Sequence, residues 1–116
     1  MSSEEKCCLS KHHAIINNHV ICLQVLCKIS PNGYAYLTEN TTRLGYLDCL
    51  KCLVENKMPK GELTTLRAVE NGHVECLKYA CEHGFYIHTD TTFDAAKNGH
   101  LNCIEYIYEH LGDEIT

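Results

Sequence analysis

Apolar side chains along this chain keep a fixed beat. Val20, Cys22, Leu23 and Leu26 are followed 27 positions later by Leu47, Cys49, Leu50 and Leu53. The same set returns as Val74, Cys76, Leu77 and Ala80, and again as Leu101, Cys103, Ile104 and Ile107. At about 100° per residue these positions form a broad apolar stripe on a helix, with Asp48, Lys51, Glu75, Lys78, Asn102 and Glu105 on the remaining face. That width suits a helix with neighbours on both sides. Each stripe follows a turn: Asn17-Asn18-His19, Leu44-Gly45-Tyr46, Asn71-Gly72-His73 and Asn98-Gly99-His100. Gly45, Gly72 and Gly99 sit where a helix ends in the left-handed conformation. Asn18 stands at that place in the first copy, and asparagine is the next residue to tolerate it. Ahead of the turn lies a shorter helical stretch. Thr91–Asn98 is the clearest, opening on hydroxyl residues suited to an N-cap.

This periodicity predicts an all-α fold, an α-solenoid of four stacked helix-turn-helix repeats. The repeats run over about residues 10–36, 37–63, 64–90 and 91–116, after an N-terminal extension of residues 1–9. Small residues recur at one site of the first helix: Ala14, Thr41, Ala68 and Ala95. First helices should therefore approach one another more closely than second helices, curving the stack with the first helices inside. Pro31-Asn32-Gly33, Met58-Pro59-Lys60-Gly61 and Gly84 mark the junctions between repeats.

Ala95-Ala96-Lys97-Asn98-Gly99-His100, followed by an apolar helix, resembles the ankyrin repeat, and Ala68-Val69-Glu70-Asn71-Gly72-His73 is a second match. The 27-residue length, with Asn-Gly-His and Cys-Leu-Lys-Tyr, is most similar to the short ankyrin-like arrays of large DNA viruses. The repeat is about six residues shorter than an ordinary ankyrin repeat of about 33. The resemblance therefore implies shortened inter-repeat loops in place of hairpin fingers. It also implies that His19, His73 and His100 tie down the turns by hydrogen bonding. In the second repeat Tyr46 replaces the histidine and Leu44 the asparagine, which removes the usual side chains of that turn.

A net charge of −5 argues against a nucleic-acid partner and against an anionic membrane surface. No apolar run approaches the roughly 18 residues of a membrane span. The polar, acidic start, Met-Ser-Ser-Glu-Glu-Lys, lacks the core of a secretion signal. An intracellular, cytoplasmic protein is expected, in host cytoplasm if it is viral.

The nine cysteines fit that compartment. Cys22, Cys49, Cys76 and Cys103 occupy one site per repeat, and packed helices lie about 8–10 Å apart, too far for a disulfide. They are expected to be reduced, buried and structural, as are Asn18 and the turn glycines. Cys49-x-x-Cys52 has chelate spacing but lacks a second ligand pair, so it too reads as packing. Cys7, Cys8, His12 and His13 place four soft ligands near one end, in a spacing that matches no common zinc site. They carry the alternative reading, a thiol- or metal-binding or redox-sensing protein. No triad, phosphate loop or paired-carboxylate motif stands out. An enzyme is not expected, and neither is a cofactor.

What remains is surface. In ankyrin-like arrays the partner protein lies in the concave groove formed by first helices and loops. Carried onto this chain, that groove comprises His13, Ile16, Asn40, Arg43, Arg67, Glu70, Asp94 and Lys97. The loops add Tyr34, Tyr36, Met58, Phe85, Tyr86 and Ile87, with the alternative that Phe85 and Ile87 fold back on the helix ends. In the last repeat Ile104, Tyr106, Ile107 and Tyr108 make an apolar helix with no successor in this sequence. That predicts a homo-oligomer, or a docked partner, at the uncapped C-terminal repeat.

Overall fold

The computed structural model describes residues 10–115, and the fold is all-helical. Among the described residues eight helices follow in order, with no strand. They are α1 (Lys11–Ile16), α2 (Val20–Ile29), α3 (Tyr36–Leu44), α4 (Leu47–Glu55), α5 (Thr64–Glu70), α6 (Val74–Glu82), α7 (Thr91–Lys97) and α8 (Leu101–Ile115). Helices this short are marginal alone in water, so their order comes from packing. The odd-numbered helices form one row, α1 on α3, α3 on α5 and α5 on α7. The even-numbered helices form a second row in the same order. The first row is the more closely packed. Ala14, Thr41, Ala68 and Ala95, its small residues, are all fully buried.

The four turns share one backbone pattern. Asn18, Gly45, Gly72 and Gly99 have φ of 54°, 80°, 72° and 72°. The amide of the next residue donates back across the turn to the small residue: His19 to Ala14 (2.8 Å), Tyr46 to Thr41 (2.9 Å), His73 to Ala68 (2.9 Å) and His100 to Ala95 (3.0 Å). This closure satisfies a carbonyl that the helix end would otherwise orphan. Asn17, Asn71 and Asn98 add a side-chain amide bond to His13, Arg67 and Asp94 carbonyls at 2.8–2.9 Å. Leu44 has no amide to give, so the second turn keeps the backbone bond and lacks the side-chain one.

Hydroxyl groups join the middle of the molecule. Thr38 Oγ1 lies 2.9 Å from Thr64 Oγ1 and accepts from the Gly61 amide at 2.9 Å. Glu39 Oε2 accepts from the Leu63 amide at 3.1 Å. The apolar core falls into two clusters on either side of this joint. One contains Ile15, Leu23, Cys27, Leu37, Cys49 and Leu53. The other contains Leu50, Val69, Leu77, Phe85, Ala95 and Ile107. The helix α4 contributes to both, because its stripe is wide enough to face two neighbours.

Several expectations are corrected. Phe85 is buried and belongs to the second cluster, with Lys60 Nζ 5.5 Å above its ring. Met58 is likewise core, and Ile87 is half-buried. The short junctions fold their apolar residues back over the helix ends, so these three do not line an open loop surface. Ile107 is also buried, since its side of α8 faces the interior of its own repeat beside Ala95 and Cys103. Cys22, unlike Cys49, Cys76 and Cys103, is only half-buried, because no described helix flanks α2 on its outer side. Thr91 does not cap α7. It is the first helical residue, and its hydroxyl donates to the His88 carbonyl.

Candidate interaction surface

The first helices place pairs of residues three apart on one face, repeat after repeat: His13 and Ile16 on α1, Asn40 and Arg43 on α3, Arg67 and Glu70 on α5, Asp94 and Lys97 on α7. His13, Ile16, Arg43 and Lys97 are exposed; Asn40, Arg67, Glu70 and Asp94 are half-buried. Neighbouring side chains hold one another in place. The Arg43 guanidinium donates to Asn40 Oδ1 through Nη2 (3.2 Å) and Nε (3.4 Å), while Asn40 Nδ2 meets His12 Nδ1 at 3.3 Å. Arg67 Nη1 pairs with Glu70 Oε1 at 2.7 Å, about a third exposed on each side. Exposed pairs of this kind contribute only about 0–1 kcal/mol to folding. Their arrangement therefore matters more for what the face presents than for stability.

At the α1–α3 end the row meets aromatic rings. Tyr34 and Tyr36 stack at 5.6 Å, and His12 approaches Tyr36 edge-on at 5.9 Å. These rings border a cavity of about 420 Å³ that also takes in Ser10, Lys11, Asn32 and Leu37. Ser10 caps α1 through the His13 amide (3.1 Å), and Lys11 Nζ binds the Asn32 carbonyl (2.9 Å), which fixes both walls. At the other end Tyr86 is exposed, while its carbonyl is held by the Thr65 hydroxyl at 2.7 Å. The role of His12 here was not legible from the chain, where its neighbours His13, Cys7 and Cys8 drew it into a ligand set. The aromatic pair at Tyr34 and Tyr36, 22 and 24 positions on, was the available signal.

Two of the turn histidines, His73 and His100, face the preceding repeat. The His73 ring covers Gly45, where an added Cβ would lie 2.6 Å from Cε1. His100 covers Gly72 in the same way, and its Nε2 lies 3.1 Å from the Glu70 carbonyl oxygen. Cys7 and Cys8 lie outside the described residues. Among the described residues no group of three His, Cys, Asp or Glu side chains is poised to hold a metal ion.

None of the described cysteines is paired in a disulfide. Burial pushes Cys49 and Cys76 up to about 11, helped by the neighbouring carboxylates Asp48 and Glu75. Burial pushes Cys52 up to about 12, with the adjacent Cys27 as the next contribution. Cys27 and Cys103 are also raised, chiefly by burial. Thiols held protonated in this way are poor nucleophiles. Cys49 and Cys52 therefore behave as packing, and Cys49 Sγ donates to Asn18 Oδ1 at 3.5 Å. No helix among the described residues is long and apolar enough to cross a membrane.

No family model matches the chain, and no curated protein matches it either.

Proposed function

We propose that the chain is a non-catalytic protein-interaction module, a solenoid of four stacked ankyrin-like repeats that binds a partner protein across the first-helix row. The observation that carries this reading is the repeated pair of outward positions on α1, α3, α5 and α7. They are pre-ordered by the Arg43–Asn40–His12 and Arg67–Glu70 contacts and flanked by Tyr34, Tyr36 and Tyr86. Arginine and tyrosine are the residues that dominate binding energy at protein interfaces. Order in advance reduces the side-chain entropy lost on association. The absence of disulfides among the described cysteines accords with a reducing, intracellular setting.

The test is affinity capture by the folded chain against two charge-reversed variants. Reversal of Arg43, Arg67 and Lys97 to glutamate should abolish capture, with helical circular dichroism unchanged. Reversal of Lys51, in the second row, should leave capture intact. Equal capture by all three proteins would remove the proposal.

A further inference from the structure

Each internal repeat gives its successor the same things. Its turn glycine receives the next histidine, Gly45 under His73 and Gly72 under His100. On the second helices of the first two repeats, buried Cys27 and Cys52, 25 positions apart, share one core cluster. At α7 and α8 these features stand open. Gly99 has the same left-handed turn, φ 72°, yet nothing lies within 4 Å of the place its Cβ would occupy. Phe93 is 67% exposed, whereas Leu66, its counterpart one repeat earlier, is buried. Tyr108, at the position of Cys27, is 82% exposed.

The opposite end is also apolar. Ile21, Val25 and Ile29 are 77%, 54% and 71% exposed, spaced four apart along one side of α2. The counterparts of Val25 are Cys52, Tyr79 and Tyr106. Cys52 packs in one cluster with Cys27 of the repeat before it, and Lys51 and Lys78 reach over the two tyrosine rings at 5.8 and 5.9 Å. This side of the second helix is thus the one that meets a predecessor.

Charge separates the two ends. Residues 1–36 carry Lys6, Lys11 and Lys28 against Glu4 and Glu5, a net of +1. Residues 91–116 carry one lysine against Asp94, Glu105, Glu109, Asp113 and Glu114, a net of −4.

We infer that the chain associates head to tail with a second copy of itself, the basic α1–α2 end of one seating on the acidic α7–α8 end of the next. Four repeats of 27 residues carry the register across the junction. The spacing from Gly45 to His73, applied to Gly99, brings the second copy's His19 to the open glycine. The spacing from Cys27 to Cys52, applied to Tyr108, brings the second copy's Val25 to the tyrosine. Such an interface joins two different patches, so it extends beyond a dimer unless the rotation closes a ring. The inference rests on the stacked-repeat reading but not on partner binding across the first-helix row.

Sedimentation velocity of the 116-residue chain from micromolar to millimolar concentration tests it. The weight-average sedimentation coefficient should rise past the dimer value and fall back with added salt. Val25→Glu spoils one end and Phe93→Glu the other, so each variant alone should be monomeric. Mixed together they should give a dimer and nothing larger, because one intact end remains on each. Should Phe93→Glu fail to fold, Tyr108→Glu takes its place. The Arg43, Arg67 and Lys97 reversals should still associate, which keeps this result separate from partner capture. Overturning results are a strict monomer throughout, or a symmetric dimer that survives Val25→Glu and is lost only with Phe93→Glu.

Discussion

His100 Nε2 sits 3.1 Å from the carbonyl oxygen of Glu70, thirty residues earlier in the chain. The same imidazole lies against Gly72, in the space that any larger residue there would need. A residue that the repeat pattern assigns to its own turn therefore acts on the turn before it. Glycine at position 72 answers to two requirements, a left-handed backbone and a neighbouring ring.

Gly99 meets only the first of these. Gly99→Ala should cost about 1–2 kcal/mol, the penalty of an L-residue in left-handed space. Gly72→Ala adds a clash with His100 and should cost about 2–5 kcal/mol, since overpacking contributes a further 1–3 kcal/mol. Urea unfolding of the two variants measures the difference.

Phe85 and Tyr86 are adjacent in sequence and opposite in role. Phe85→Ala removes a buried ring and should destabilise by about 3–5 kcal/mol. Tyr86→Ala keeps the carbonyl held by Thr65 and should change stability by less than about 0.5 kcal/mol, as exposed substitutions do. Thermal denaturation of both variants decides the point.

Lys57 has φ 61°, at the position where Gly84 ends the second helix of the following repeat with φ 80°. Lys57→Gly should raise stability by about 0.5–1 kcal/mol. Relief of left-handed strain is partly offset by the greater freedom of glycine in the unfolded chain.

The buried thiols set an alkaline limit. In the unfolded chain a thiol ionises near its ordinary value of 9.0, whereas Cys49, Cys52 and Cys76 stay protonated to about 11, 12 and 11. Above pH 9 the unfolded state binds fewer protons than the folded state. The contribution is whole below pH 9 and is lost as pH rises towards 11–12, at up to about 1.4 kcal/mol per unit for each thiol. Denaturation midpoints from pH 7 to 11 should fall along this course. At pH 7 an alkylating reagent should label half-buried Cys22 well before Cys49, Cys76 or Cys103.

The paired helices were legible because their cause is local. A stripe of Leu50, Leu77 and their counterparts needs only its own spacing to mark a helix, and a left-handed Gly72 announces a turn wherever it stands. The surface was less legible because exposure depends on what lies across the gap. Phe85 and Met58 look like loop aromatics and thioethers until the junctions fold over. Ile107 looks available until α7 is placed beside it. Ser, Thr and Asn side chains were hardest to read. Nothing in the spelling of Thr38 says that its hydroxyl will meet Thr64 and the Gly61 amide from a different repeat.

Of the first-row pairs, α3 with α5 is the most closely packed; of the second-row pairs, α4 with α6 is the loosest. Between the two hydrocarbon halves, the tight side is fastened by hydroxyls. A bending load on the long axis of this 51 × 26 × 16 Å body would be taken up there. The α4–α6 gap would open like the fore-edge of a book, with Thr38 and Thr64 as the spine.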